Sequence, residues 1–373
     1  MVSIEIELIA GTGDASTDLL ERKTVNPLTI EEPHASDVAS GMRRVQFTRL
    51  GGPEVLEMVP LQLSALPPGH VRVGIHVIGL NRFEALFRRD HYVIKPTLPA
   101  TLGVEAVGTI TEIAPGVDGF QRGDRVAILP IQSPTVGTGT YATHADVPIE
   151  ALVHVAADRS DEEEAATWMA SLQAYTLATK VPITPGDTVI VTAGTSSVGT
   201  ALIQIAHDLG ATVIATTRTT ARKPEILALG ADHAIATDDE DLAGVVSTLT
   251  GGRGAKVVYD TVGGPLLAAL IDATAHFGHV LCYGAQTSPD IRAARVDVPL
   301  VSLDRKSVSF VDLFELVEFP DRLAAAKAYI GDARDRGALT IGVDRVLAFD
   351  DVQEAHRILE SGRLAGKLLL RVT

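Results

Sequence analysis

Two kinds of hydrophobic pattern follow one another along this chain. From Val45 to about Val155, apolar and polar positions alternate over short stretches such as VRVGIHVIGL, GTITEIA and DRVAIL, punctuated by PPG, PGV and RGD. Period-two alternation broken by turn residues predicts half-buried strands of a β-rich, partly closed domain. Asp161 to Lys180 changes the period: acidic residues open it, and Trp168, Met169, Leu172 and Tyr175 fall on a helical repeat,. Beyond it, short β-branched runs alternate with helical segments: TVIVTA, a helix to Leu209, TVIATT, a helix to Leu229, HAIAT, a helix to Leu249, KVVYDTV, a helix to Thr274, and HVLCYG. That alternation predicts an α/β unit with a doubly wound parallel sheet. After about Ser309 the chain resumes helix, short strand and helix, and KLLLRV reads as a strand returning to complete the first domain. Residues 1–41 mix acidic, Ser, Thr and Pro residues with little periodicity after VSIEIELI, and read as an extension. The expected division is 1–41, then 42–165 completed by 310–373, with 166–309 as the parallel-sheet unit.

The junction after the first parallel strand carries the chemistry. In TAGTSSVG, Gly194, Ser196, Ser197 and Gly199 supply small side chains where a backbone must approach a pyrophosphate, and the helix opening near Val198 directs unpaired N–H groups at an anion,. Ser196 stands where a plain Rossmann loop prefers glycine. The next strand ends in ATTRTTARK, without the Asp or Glu that accepts a ribose 2′-hydroxyl in NAD sites,. Thr217, Arg218 and Lys223, with Thr219 and Arg222 beside them, offer hydroxyls and cations to a 2′-phosphate. The expected cofactor is NADPH; the competing reading is a solvated basic loop.

Composition narrows the partners. With 373 residues, 46% of them apolar, the chain fills two cores,. The net charge of −15 disfavours nucleic acid and anionic membranes as partners,. Apolar stretches are strand-sized and no secretory signal is evident, so a cytoplasmic protein without membrane spans is expected. The single cysteine, Cys282, excludes an intrachain disulfide and reads as a buried structural thiol,. The eleven histidines form no H-x-x-x-H pair,.

The order GGPEVLEM, GLNRFEALFR, LGVEAVGTITEIAPGV, GDRV, AYTLA, TAGTSSVG, VYDTVGG and GRLAGKLLL, covering about Met42 to Thr373, resembles the medium-chain dehydrogenase/reductase superfamily, and within it the zinc-free quinone oxidoreductases. The resemblance implies a GroES-like catalytic domain, a Rossmann cofactor domain, a cleft between them for hydride transfer, and a homodimer. Positions that hold catalytic zinc in other members are Asn81, Val104 and Met169 here, so no metal is expected. It implies Asn81 as the group that polarises substrate oxygen, the alternative being a helix cap. Leu86 stands where many relatives have Tyr, leaving Tyr92 or water as proton donor, with Tyr141 near the cleft or buried. Val262 and Gly263 are implied beside the nicotinamide, Tyr283, Gly284 and Ala285 against its carboxamide, and Lys367, with Arg363, at cofactor phosphate. Asp260 is expected to anchor a loop. The function so implied is NADPH-dependent, metal-independent reduction of a quinone or α,β-unsaturated carbonyl. A second enzyme reading is a 2-enoyl thioester reductase, with Arg88 and Arg89 at the channel rim; a third, of another class, is an NADPH-binding sensor or structural protein.

Overall fold

The computed structural model describes residues 41–130, 139–298 and 300–373. The expected extension therefore lies outside the described residues, apart from Gly41. The first part of the chain gives β1 (Arg43–Phe47), β2 (Glu57–Pro60), β3 (His70–Gly79), α1 (Arg82–Arg88), β4 (Ala100–Thr101), β5 (Ala106–Ile113), β6 (Arg125–Ile128), β7 (His144–Pro148) and β8 (Leu152–His154). There follow α2 (Asp161–Lys180), β9 (Thr188–Val191), α3 (Ser197–Asp208), β10 (Thr212–Thr217), α4 (Lys223–Ala228), β11 (His233–Ala236), α5 (Leu242–Thr250), β12 (Ala255–Asp260), α6 (Pro265–Asp272), β13 (Thr274–Cys282) and β14 (Ser307–Phe310). Last come α7 (Phe314–Val317), α8 (Pro320–Asp335), β15 (Val343–Ala348), α9 (Val352–Glu360) and β16 (Lys367–Arg371).

The β-rich unit holds a three-stranded antiparallel sheet, β2-β1-β4, and a larger sheet ordered β15-β16-β3-β5-β6-β8, with β7 also on β3. Its closing strand is β16, antiparallel to β3 through Leu369↔Gly79 and Leu370↔Ile78. The chain returns to this sheet only at Val343. Segments α7 and α8 instead pack their Leu316, Leu323 and Ile330 into the core shared with α2 and α3. A simple boundary at residue 310 is thus too early, because the apolar faces of these helices are buried on the other unit.

The second unit is a six-stranded parallel sheet ordered β11-β10-β9-β12-β13-β14. Strand β9 shows why it needs helices on both faces: Val189 and Val191 enter the core under α2 and α3, while Ile190 enters the core under α5 and α6,. Strand order reverses between β9 and β12, which opens a crevice at their carboxyl ends. Helix α2 joins the units. Ser160 and Glu163 form a reciprocal capping box at its start, and buried Glu164 accepts from the Trp168 indole at 2.9 Å and from Arg334 of α8 at 2.5 Å,. Among the described residues, no helix is long and apolar enough to cross a membrane.

Strands β3 and β5 approach so closely that a Cβ at Gly108 would enter the Gly74 carbonyl oxygen. Gly108→Ala is therefore expected to destabilise the protein by about 1–3 kcal/mol through overpacking, as measured by urea unfolding, without altering the parallel-sheet unit's nucleotide affinity.

Candidate active site

A cleft of about 600 Å³ lies between the carboxyl ends of the parallel strands and the β-rich unit. On the parallel-sheet side, Ala193 takes a positive φ of 50° and turns the chain out of β9. The Ser196 hydroxyl accepts the Gly199 N–H at 3.0 Å and caps α3,. Ser197 and Val198 then stand in the first helical turn, where N–H groups have no intrahelical acceptor, and both line the cleft,. Gly194 and Gly199 are not cleft-lining. A Cβ at Gly199 would strike the Ala193 carbonyl, and one at Gly194 would crowd Ala215 and Ile203. Their smallness serves loop-on-helix packing, a correction to the expectation that they make room for pyrophosphate.

At the end of β10, Thr217, Arg218 and Arg222 line the cleft. Arg218 spans the two units, its Nη2 lying 3.4 Å from the Gly362 carbonyl. Lys223 departs from expectation: its ammonium is paired with both Glu240 oxygens, at 2.8 and 3.0 Å, and Glu240 also accepts the Ala236 N–H. It braces the loop and is not cleft-lining. At the ends of β12 and β13, Val262, Tyr283, Gly284 and Ala285 line the cleft. Asp260 holds this region as a loop anchor, accepting from Thr192 Oγ1 at 2.9 Å, Val262 N–H at 3.0 Å and Gly263 N–H at 2.9 Å. Gly263 adopts φ +67°, which an L side chain rarely takes, so the turn depends on it,.

The opposite wall centres on a buried ionic cluster. Lys367, 2% exposed, pairs with Glu105, 1% exposed. Its Nζ also donates to Asn81 Oδ1 at 2.8 Å, while Asn81 Nδ2 donates to Glu105 Oε1 at 2.9 Å. Glu105 Oε2 accepts the Met169 N–H at 3.0 Å. Every member thus has partners, the condition under which buried charge is tolerated. Asn81 occupies the N-cap position of α1, yet its side chain is turned to this pair. Lys367, expected at cofactor phosphate, has its charge neutralised by Glu105 instead. Neither Glu105 nor the pairing was foreseen; the signal was a lone charge in each of the apolar runs LGVEAVG and GKLLL, since a buried charge needs a partner.

Tyr141, one of the catalytic candidates, takes the buried alternative. It is fully buried, is not cleft-lining, and its hydroxyl donates to Glu84 Oε2 at 2.7 Å with His356 Nε2 at 3.2 Å. Burial, then Glu84's charge, raises its phenol well above the usual value. It buttresses α1, because Glu84 Oε2 also accepts the Asn81 N–H at 2.9 Å. Tyr92 does line the cleft, against Phe83 with ring centroids 5.2 Å apart. Burial, then the field of Asp312, pushes its phenol up to about 12. Arg82 is a further cleft-lining residue that the sequence reading passed over. Among the described residues its guanidinium makes no hydrogen bond or ion pair. The nearby Glu360 is taken by Arg88 and Arg89, and the buried Arg88 also donates to the Gly51 carbonyl at 2.6 Å.

Burial raises the Glu84 carboxyl from 4.5 to about 8. As pH rises the unfolded chain releases this proton first, so the group's contribution to stability is complete below about pH 4.5 and is lost towards pH 8,. Wild type is therefore expected to lose on the order of 5 kcal/mol from this group between those limits. Glu84→Gln should show a flatter profile in urea unfolding followed across that pH range.

Comparison with known proteins agrees with this geometry. Residues 67–157 match the family model described as alcohol dehydrogenase GroES-like domain, and residues 197–326 match that described as zinc-binding dehydrogenase. The quinone oxidoreductase of Pseudomonas aeruginosa is 30% identical over 332 residues, 88% of this chain and 99% of that protein. The 2-haloacrylate reductase of a Burkholderia species is 27% identical over 86% of this chain and 96% of its own. The crystal structure of Escherichia coli quinone oxidoreductase complexed with NADPH superposes with a TM-score of 0.80 at 27% identity, covering 88% of this chain and 99% of that one. The zinc in one family description does not fit the residues present. Asn81, Val104 and Met169 surround the cleft with an amide already bonded, an aliphatic chain and a thioether, beside a cationic Lys367, and none suits Zn²⁺. Among the described residues, no group of three His, Cys, Asp or Glu is placed to hold a metal ion. The fold, the cleft and these relatives together place the chain in the medium-chain dehydrogenase/reductase superfamily, in its quinone oxidoreductase-like branch.

Proposed function

We propose that this oxidoreductase is NADPH-dependent and delivers hydride, without a metal, to a quinone or α,β-unsaturated carbonyl in the cleft. The observation that carries the reading is the separation of two kinds of group along one cleft. Anion-binding groups, the first turn of α3 with Thr217, Arg218 and Arg222, gather at β9 and β10, while Tyr283 and Gly284 follow β13. Strands β10 and β13 are three places apart in the sheet, about 14 Å at ordinary strand spacing, which suits a dinucleotide lying across the sheet. Unpaired Arg82, on the other wall, is a fitting partner for its diphosphate. Gln173 Nε2 and the Tyr283 hydroxyl are buried without hydrogen-bond partners among the described residues, and both residues line the cleft, which fits a polar ligand there.

NADPH, when bound, supplies the hydride. The chain's own residues hold the acceptor and manage charge and proton. Negative charge accumulating on the acceptor oxygen calls for donors already in place. Asn81 is the proposed donor, through the Nδ2 hydrogen not given to Glu105, whose other acceptor is the Gly79 carbonyl at a long 3.5 Å, and Lys367 at Oδ1 polarises the amide and fixes which end is the donor,. Tyr92 keeps its proton across the physiological range and is the proposed proton donor,. The thioester reading loses its basic rim, since Arg88 and Arg89 are both held by Glu360. A homodimer is proposed on the family resemblance, and the cytoplasm as its setting on the strand-sized apolar stretches of the sequence.

Following NADPH absorbance with quinones, cyclic enones and enoyl thioesters tests the reading, and oxidation by none of them would refute it. Arg218→Ala is expected to weaken NADPH binding by about 1–3 kcal/mol while leaving NADH nearly unchanged, read by titration with each cofactor. Asn81→Ala should lower kcat by roughly tenfold to a thousandfold, as loss of a transition-state donor does, with a smaller effect on cofactor affinity.

A further inference from the structure

Asp312 has no place in the mechanism above, yet it lines the cleft. It follows β14, and the Val311 N–H donates to the Cys282 carbonyl at 2.8 Å. This sets Asp312 beside Tyr283, where the carboxyl ends of β13 and β14 meet the Asn81 wall. Its Oδ1 accepts the Phe314 N–H at 2.9 Å in a local turn. Among the described residues, no Lys, Arg or His pairs with this half-buried carboxyl. Its charge acts on Tyr92, and Phe83, Phe310, Leu313 and Phe314 are apolar residues lining the same cleft. The cleft's cations do not offset it, because Arg82, Arg218 and Arg222 belong to the phosphate-binding reach and Lys367 is neutralised by Glu105.

We propose that Asp312 restricts the acceptor to uncharged quinones and enones, excluding substrates that carry a carboxylate or sulfonate near the reacting carbon. The proposal rests on the reductase reading above. A second anion brought to about 6 Å from this carboxylate at an effective dielectric near 20 is disfavoured on the order of a hundredfold. Burial and the neighbouring Glu315 and Glu318 raise the Asp312 carboxyl, so the alternative to repulsion is uptake of a proton, which also opposes anion binding above the group's pKa.

Matched acceptors test it: naphthoquinone against naphthoquinone sulfonate, and methyl acetylacrylate against acetylacrylate, each as kcat/KM for NADPH oxidation at neutral pH. Wild type is expected to favour the neutral member by at least about tenfold, allowing for partial screening. Asp312→Asn, which keeps an acceptor oxygen for the turn, should reduce that preference at least about tenfold, read as the ratio within each matched pair because the loss of charge also lowers the Tyr92 phenol and acts on both members alike,. Asp312→Ser provides a second uncharged variant with an acceptor oxygen. Glu57→Gln, which removes an exposed carboxylate of β2 outside the cleft, should leave the preference unmoved. A wild-type ratio near unity, or one unchanged in both Asp312 variants at wild-type thermal stability, overturns the proposal and leaves the reductase reading intact. Failure of every neutral acceptor overturns the reductase reading, and this proposal with it.

Discussion

The buried pair of Lys367 and Glu105 is the constraint around which the active-site wall is arranged. An ammonium and a carboxylate removed from water persist only when their remaining hydrogen-bonding capacity is also met. Here Asn81 and the Met169 N–H meet it. The cluster therefore ties together the start of β16, the start of β5, the N-cap of α1 and the helix that links the two units. The result is an amide whose oxygen and nitrogen ends cannot exchange without leaving Lys367 facing a donor. Glu84 and Tyr141 brace the same corner from behind, and their neutral states suit a region already holding one buried ion pair.

The parallel-sheet side of the cleft uses a different economy of charge. It presents orphan N–H groups, a capped helix and arginines left partly free, while neighbouring cations are consumed locally. Lys223 and Arg222 sit one after the other, yet the first is clamped by Glu240 and the second, though hydrogen-bonded to Glu225, still lines the cleft. Arg82 and Arg88 differ similarly on one short helix, because Glu360 can satisfy only the guanidiniums that reach it.

Much of this architecture is legible in the residues. The β-branched triplet Val189–Val191 reads as a strand covered on both faces, and TAGTSSVG reads as a tight turn into a helix whose first N–H groups are left free. Local pattern does not reveal which partner a charge finds across the fold. Lys367 reads as a phosphate ligand until Glu105 is brought to it by the β3–β16 and β3–β5 pairings, and Tyr141 reads as either a cleft or a buried residue until α1 and α9 supply Glu84 and His356. Gly194 and Gly199 look alike as sequence, but what would meet their Cβ atoms depends on Ala215, Ile203 and the Ala193 carbonyl. The place where chain order departed from simple expectation, residues 314–341, is where apolar helix faces are buried in the core of α2 and α3 and not in that of the first unit.

The span between Asn81 and Lys367, 286 residues, bears on how the site comes into being. Direct closure of so long a loop is entropically unfavourable and slow. The intervening segment, however, contains the parallel-sheet unit, whose strands and crossover helices are largely sequential neighbours and which brings its own two ends together as it forms. The gap is therefore bridged by a folded unit and not by loose chain, so the ammonium and the amide meet through the docking of two units and not through closure of a random loop.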